Sequence, residues 1–548
     1  MKMTGSSFAP GNASLLKFRL LNLFSVARNS ASSPQAVAEP LVHEPGTISP
    51  ASREAKKKSG GETAAHPSRL SVALILLLLT AGALLVEGYH PWAEDAEIYL
   101  PGIEKILQPE LFPFNAQFFQ SHAHLTLFPN LIAASVAISH LPLSVVTFGW
   151  QMLSLFLLLL AGWELTGKCF ENRWSRWAAV ALLGALFTLP VAGTALYLMD
   201  QYLNPRNLRA FAGILAIAKV LDRKYVQAAL LLAFAAAIHP LMSAFTAFFL
   251  ALLLALRWRD ARSVSFASLL PLSFLFQAGS PAYHDVAQSH TYHYFLRWQW
   301  YEILGAVAPL AIFWWFGRIA RSRRMPNVDL LARTFILYAS ISIVAAIILS
   351  SSPRFEALAR IQPMRSLHLL YLLMILLGGG FVGEFVLKNR AWRWVALFLP
   401  LCAGMFYAQR QLFPASAHIE WPGVAPRNPW VQAFLWIRNN TPVDAVFALD
   451  PKHMNISGED SNGFRAIAER SMLADSVKDS GAVTMFPPLA DEWLRQVQAQ
   501  QGWKNFQARD FARLETAYGV NWVVLEQPGA GDLSCPYQNQ AVLVCRLD

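Results

Sequence analysis

Charge is what this sequence has least of. Only 15% of its 548 residues are Asp, Glu, Lys or Arg, while 55% are hydrophobic; an average soluble domain is about a quarter charged. The distribution excludes a wholly soluble chain. Apolar residues run in blocks such as Leu70 to Val86, Leu141 to Leu165 and Leu369 to Val386. Blocks of roughly 17–25 residues match the hydrocarbon thickness of a bilayer. Cysteine is also scarce, with four in the chain, too few for a disulfide scaffold. Cys169 and Cys402 lie at or within apolar blocks and read as inert packing. Missing altogether are a glycine-rich phosphate loop, a nucleophile elbow and a kinase motif set. Nucleotide-driven chemistry inside the spans therefore has no support in the sequence.

The net charge of +10 would suit nucleic acid if it were gathered on one face, but it is dispersed among short loops. Lys168, Arg173 and Arg176 share one loop, Arg223 and Lys224 the next, then Arg257, Arg259 and Arg262. Arg318, Arg321, Arg323, Arg324 and Arg333 follow, and then Lys388, Arg390 and Arg393. Short basic loops are retained in the cytoplasm, so the charge describes membrane topology and excludes nucleic acid as its partner.

Residues 1–66 are rich in Ser, Ala, Pro and charge and read as a disordered basic cytoplasmic tail, with Leu15–Val26 as an interfacial helix. Residues 67–409 form the membrane region, an α-helical polytopic bundle with about eleven transmembrane helices. The spans fall near 70–87, 142–166, 177–197, 207–221, 226–239, 240–256, 263–279, 301–317, 334–350, 366–386 and 394–409. The pair on either side of His239-Pro240 is short enough to be a re-entrant hairpin. The first external loop, 88–141, is long and acidic, and contains an apolar segment, Leu125–His140, that reads as an interfacial helix. From 410 to 548 helical and extended patterns alternate, which predicts an extracytoplasmic α/β domain. Helices are expected over Trp430–Asn439 and Asp510–Tyr518, and strands over Ala445–Leu449, Asn521–Glu526 and Ala541–Arg546. Cys535 and Cys545 fall in that domain, where a disulfide between them is allowed; their spacing is compatible with pairing and with free thiols.

The strongest local signal is His90-Pro91-Trp92-Ala93-Glu94-Asp95-Ala96-Glu97-Ile98-Tyr99, just past the first span. A carboxylate pair at a membrane surface can act as a general base or hold a divalent ion. It can equally cap the following helix, whose N-terminal dipole favours acids.

With its inside N-terminus, the acidic motif past the first span, the interfacial segment in loop one and the α/β tail, the chain resembles the GT-C superfamily of glycosyltransferases. These are the polyprenyl-phosphate-sugar-dependent enzymes that include protein mannosyltransferases, aminoarabinose transferase and the oligosaccharyltransferase catalytic subunit. The resemblance implies an integral membrane transferase, multi-pass in a bacterial inner membrane, with its C-terminus periplasmic. It implies a polyprenyl-phosphate sugar donor held among membrane lipid, and leaves the acceptor and any divalent metal open. Asp95, with Glu94 as alternate, would then be the base that deprotonates the acceptor.

Two further points stand out. Asp200 lies in the second external loop shortly before Asn204-Pro205-Arg206; it reads as a second acidic site with Arg206, or as a plain ion pair with Arg206 or Arg209. Arg354, Arg360 and Arg365 lie in an external loop and break the positive-inside pattern. Arg grips phosphate bidentately, so these three are candidates for the donor phosphate; snorkelling to headgroups is the alternative. External histidines include His122, His124 and the pair His290 and His293, whose spacing makes them weak metal-ligand candidates. Outside the transferase class, a transporter or flippase would place ionisable residues and broken helices near the midplane. A catalytically silent relative would keep the architecture alone.

Overall fold

The computed structural model describes residues 68–258, 280–352, 355–529 and 533–547. The expected cytoplasmic tail, the Leu15–Val26 segment, the expected span at 263–279 and Arg354 lie outside the described residues. Met1–Leu74 and Ile75–Asp548 are two compact units; the first contributes only the start of the first helix to the described residues, and every other element belongs to the second.

Seven helices among the described residues are long and apolar enough to cross a membrane: Arg69–Glu87, Leu143–Thr166, Pro240–Arg257, Trp300–Ser322, Pro326–Ser350, Pro363–Leu387 and Ala391–Leu412. They make this a multi-pass membrane protein. Their outward residues, among them Leu74, Leu78, Leu304, Trp314, Val344, Trp392 and Leu399, are exposed large hydrophobics, as lipid-facing positions are. The Pro363–Leu387 segment is the most buried of the seven.

Of the eleven expected spans, 263–279 lies outside the described residues, and three others are not among these seven. The apolar run at 177–197 is helical only over Arg173–Gly184, and then turns into a hairpin of β1 (Pro190–Val191) and β2 (Leu196–Tyr197). Its turn contains Gly193 at φ +63, where a Cβ would lie 2.3 Å from the Trp298 ring; hydropathy sees the run but not the turn. The 207–221 run is a helix, Pro205–Leu221, buried along nearly its whole length. Near 226–256, helix Tyr225–Ile238 ends at His239, whose Nδ1 accepts from the Met242 N–H at the start of Pro240–Arg257. His239-Pro240 is thus a shared cap, and only the second helix reaches spanning length.

Loop 88–141 folds into helices Ala96–Leu107, Gln117–Ala123 and Phe128–Ser139; the last is the segment expected at the interface. The C-terminal region carries helices Pro429–Asn440, Ala490–Ala499 and Ala508–Tyr518 around a five-stranded sheet. Its strands are β3 (Val446–Leu449), β4 (Ser471–Met472), β5 (Trp522–Glu526), β6 (Ser534–Gln538) and β7 (Val542–Arg546), in the order β4-β3-β5-β7-β6. β4, β3 and β5 are parallel; β7 and β6 are antiparallel additions. Phe447, Leu449, Val524 and Val544 pack on Trp430, Phe434 and Ile437 on one face, and Ala448, Val523 and Cys545 on Phe511 and Leu514 on the other. Cys535 and Cys545 form a disulfide between β6 and β7.

Candidate active site

The chain leaves the first helix as an extended segment that lies along the C-terminal region. Tyr89 N–H donates to the His418 carbonyl and Glu420 N–H to the Tyr89 carbonyl, each at 3.0 Å. Glu94 N–H donates to Ser461 O at 2.8 Å, and Gly463 N–H to Trp92 O at 2.9 Å. At Gly463 the two backbones come so close that a Cβ would sit 2.4 Å from Glu97 Oε2. Glu94 is held at φ +56, a left-handed conformation costly for a residue with a Cβ.

Asp95 stands at the cap position of helix Ala96–Leu107, yet its carboxylate makes no capping hydrogen bond. It turns instead toward cations. Lys478 Nζ donates to Asp95 Oδ1 at 3.0 Å and also contacts Glu94 Oε2. Arg206 Nη2 lies 3.6 Å from Asp95 Oδ2 and 2.7 Å from Asp200 Oδ2. The two acidic motifs separated in the sequence are therefore joined through Arg206. Asn204 caps helix Pro205–Leu221 by accepting from Asn207 N–H at 2.9 Å, with Pro205 in the first turn. That cap fixes Arg206 in the first helical turn. A cation there opposes the helix dipole, and the two aspartates offset it.

Burial would raise the Asp95 pKa, but Lys478, Arg206 and Arg365 outweigh it and hold the carboxyl well below the usual carboxylate range. Burial alone would lower Lys478; Asp95 and Glu94 keep it firmly protonated. Asp200 is raised, since burial exceeds the pull of Arg206. Around the pair, the Tyr202 hydroxyl accepts from Asp95 N–H at 3.1 Å. His122 is pushed down to about 4 by burial and Arg365, although the charge on Asp95 pulls it upward.

Arg365 sits on a tight turn, Pro363–Ser366, entered through Gln362 in a left-handed conformation. It has no ion pair among the described residues, and its buried Nε has no hydrogen-bond partner there. Arg360 is placed differently. It is buried, donates from Nε to the Tyr283 hydroxyl at 3.0 Å, and lies 5.0 Å over that ring. Arg354 lies outside the described residues. His290 and His293 have ring centroids 6.2 Å apart. His290 Nε2 is 3.3 Å from Ser480 Oγ, and His293 Nε2 is 3.4 Å from the Gln362 amide nitrogen. Among the described residues no group of three or more His, Cys, Asp or Glu could hold a metal ion.

Lys478 is held by a second charge cluster that the sequence did not reveal. Arg465 donates to Asp479 at 3.0 and 2.7 Å, lies 3.3 Å from Glu97 Oε1, and lies 3.9 Å from Asp475 Oδ2. Glu97 also accepts from Ala466 N–H at 3.2 Å. Asp475 Oδ1 accepts from the backbone N–H groups of Val477 and Lys478 at 2.6 and 2.5 Å, which fixes the Lys478 backbone. This turn follows β4, at the C-terminal edge of the parallel strands, where open α/β sheets place their ligand sites. A signal was available: Lys478 sits at the cap position of helix Asp479–Met485, where a cation opposes the dipole.

A groove of about 620 Å³ lies between loop one and helix Tyr225–Ile238, lined by Gly102, by apolar residues such as Ile106 and Leu127 and equally by Lys105, Gln120, His124 and Asn130. Gly102 is about 10 Å along the helix axis from Asp95.

The chain matches no protein-family model and no curated protein. Among solved structures it is similar to the single-particle cryo-EM structure of the arabinofuranosyltransferase AftD from Mycobacteria, with 13% identity and a TM-score of 0.43. The similarity covers 87% of this chain and 39% of that one, so the chain spans about two-fifths of that protein's length.

Proposed function

We propose that the chain is a membrane glycosyltransferase that moves a sugar from a polyprenyl-phosphate-linked donor to an acceptor on the extracytoplasmic face. One observation carries this reading. Asp95 is kept ionised without serving as a helix cap, in the field of Arg365, a cation with no ion-pair partner among the described residues. Transfer to a nucleophile needs both charges. The acceptor oxygen bonds to the anomeric carbon while the bond from that carbon to the phosphate oxygen breaks, its electron pair leaving on the phosphate. Arg365 neutralises that leaving group, bidentate contact being the strength of a guanidinium.

The low pKa of Asp95 makes it a weak base toward an unactivated hydroxyl. It acts late instead. A glycosyl transition state carries positive charge on the sugar ring, which a permanent anion stabilises, and the acceptor proton becomes acidic enough for Asp95 only as the new bond forms. Arg206 and Asp200 fix the carboxylate. Arg360, held on Tyr283, supports the loop that presents Arg365.

The test compares purified wild type, Asp95→Asn, Arg365→Ala and Arg360→Ala against a panel of polyprenyl-phosphate sugars. Wild type should bind a donor. Arg365→Ala should weaken that binding at least about tenfold, as loss of a charged hydrogen bond does, and Arg360→Ala should weaken it less. Asp95→Asn should bind but lose about 10²- to 10⁴-fold in transfer. Absence of any donor binding by wild type overturns the reading.

A further inference from the structure

An acidic pair beside a membrane invites a divalent cation, and the residues here can be tested for one. Hard cations take six or more oxygen ligands at about 2.0–2.6 Å. Asp95 offers none that is uncommitted: Oδ1 accepts from Lys478 and Oδ2 faces Arg206. Glu94 Oε2 is likewise held by Lys478. Arg365 adds a third positive charge to the field at Asp95, so Lys478, Arg206 and Arg365 already balance Glu94, Asp95 and Asp200. A divalent ion brought in would face three cations and find only Glu94 Oε1 and Asp200 Oδ1 outside the contacts with Lys478, Arg206 and Asn204, well short of the six oxygens it needs. The donor set does not fit a metal.

We propose that Lys478 is the site's built-in cation: its ammonium bridges Glu94 and Asp95 at the position a divalent ion would need, so the pair works without a bound metal. The part concerning catalysis rests on the transferase reading; the occupation of the pair by Lys478 stands on geometry alone. The C-terminal region thereby contributes a residue to the site instead of only covering it. Arg465, Asp475 and Asp479 position Lys478 through backbone and ion-pair contacts, and the carboxylates need no outside ligand to lie side by side.

The experiment is a Mn²⁺ titration followed by paramagnetic resonance on the purified full-length protein after exhaustive chelation. Wild type and Lys478→Arg should show no specific site. Lys478→Gln should gain one site that binds Mn²⁺ at least about tenfold tighter than the non-specific binding of wild type, because a positive charge within about 4 Å has been removed. Adding Asp95→Asn to that variant should abolish the gained site. A stoichiometric Mn²⁺ site in wild type that Asp95→Asn removes overturns the proposal, and this arm needs no Lys478 variant to fold. A folded Lys478→Gln, judged by its melting transition, that gains no site overturns it as well. Donor binding by chelated wild type, read with the polyprenyl-phosphate sugar panel, should be unchanged. If no donor binds but the Mn²⁺ pattern holds, the transferase reading fails and the built-in cation stands.

Discussion

Two charge clusters lie side by side on the same seam between loop one and the C-terminal region, built from neighbouring residues of the same two segments. Glu97 meets Arg465, Asp475 and Asp479; Glu94 and Asp95, just before it, meet Lys478, just before Asp479. The first cluster is dry, with side chains 0–1% exposed. The second opens outward, with Asp95 30% and Glu94 44% exposed. The dry cluster sets three carboxyl groups against one guanidinium. Burial, opposed by Arg465 but helped by Asp475 and Asp479, lifts Glu97 to about 8, so it keeps a proton at neutral pH. The open cluster matches its carboxylates with cations and leaves Arg365 without an ion-pair partner among the described residues. Under the proposed function the contrast divides their work: the dry, proton-bearing cluster fastens the two regions, while the open one would offer charge to a substrate.

Three substitutions would break or sharpen that contrast. The largest effect is expected from Arg465→Met, which strands buried carboxyl groups and should cost about 3–5 kcal/mol. Denaturation in detergent micelles reads it, and loss of the Lys478 position should follow. Next comes Glu97→Gln. A carboxyl whose folded pKa lies above its ordinary value of 4.5 binds its proton more tightly when folded. Its contribution is complete below 4.5 and is lost as pH rises through about 8. Wild-type stability should therefore fall between about pH 4.5 and 8 with a slope of at most about 1.4 kcal/mol per pH unit and level off above that, and Glu97→Gln should flatten it. The smallest effect belongs to Asp95→Asn. Its part-exposed ion pairs should move stability by no more than about 1 kcal/mol. Because the Asp95 pKa is depressed, the sign is opposite: its contribution is present above the ordinary value and lost on acidification. If Asp95→Asn destabilises as much as Arg465→Met, the distinction between fastener and site collapses.

The sequence showed the parts that are local. Apolar blocks marked most spans, because a bilayer demands length and hydropathy of each segment by itself. The alternating pattern after residue 410 marked the helices and strands of the sheet region. Glu94-Asp95, Asp200 with Arg206, and Arg365 were visible because each departs from its surroundings in charge. What was hidden depends on distant contacts. Nothing near Asp95 announces Lys478, and Arg465 reads as ordinary surface charge until Glu97 is brought against it. The run at 177–197 misled for a related reason: its turn is set by packing of Gly193 on Trp298, which hydropathy does not record.

The distance along the chain between Asp95 and its cation, 383 residues, also has a meaning in time. A ribosome delivers loop one to the membrane long before Lys478. Until then the acidic pair stands with no ammonium beside it, and the Glu97 carboxyl waits for its arginine. A chain cut short before residue 465 would keep its long apolar helices but leave Glu94 and Asp95 with only Arg206 and Arg365 to balance them. The segment holding Arg465 and Lys478 thus brings the ammonium to the acidic pair, and a copy lacking that segment carries a different charge there.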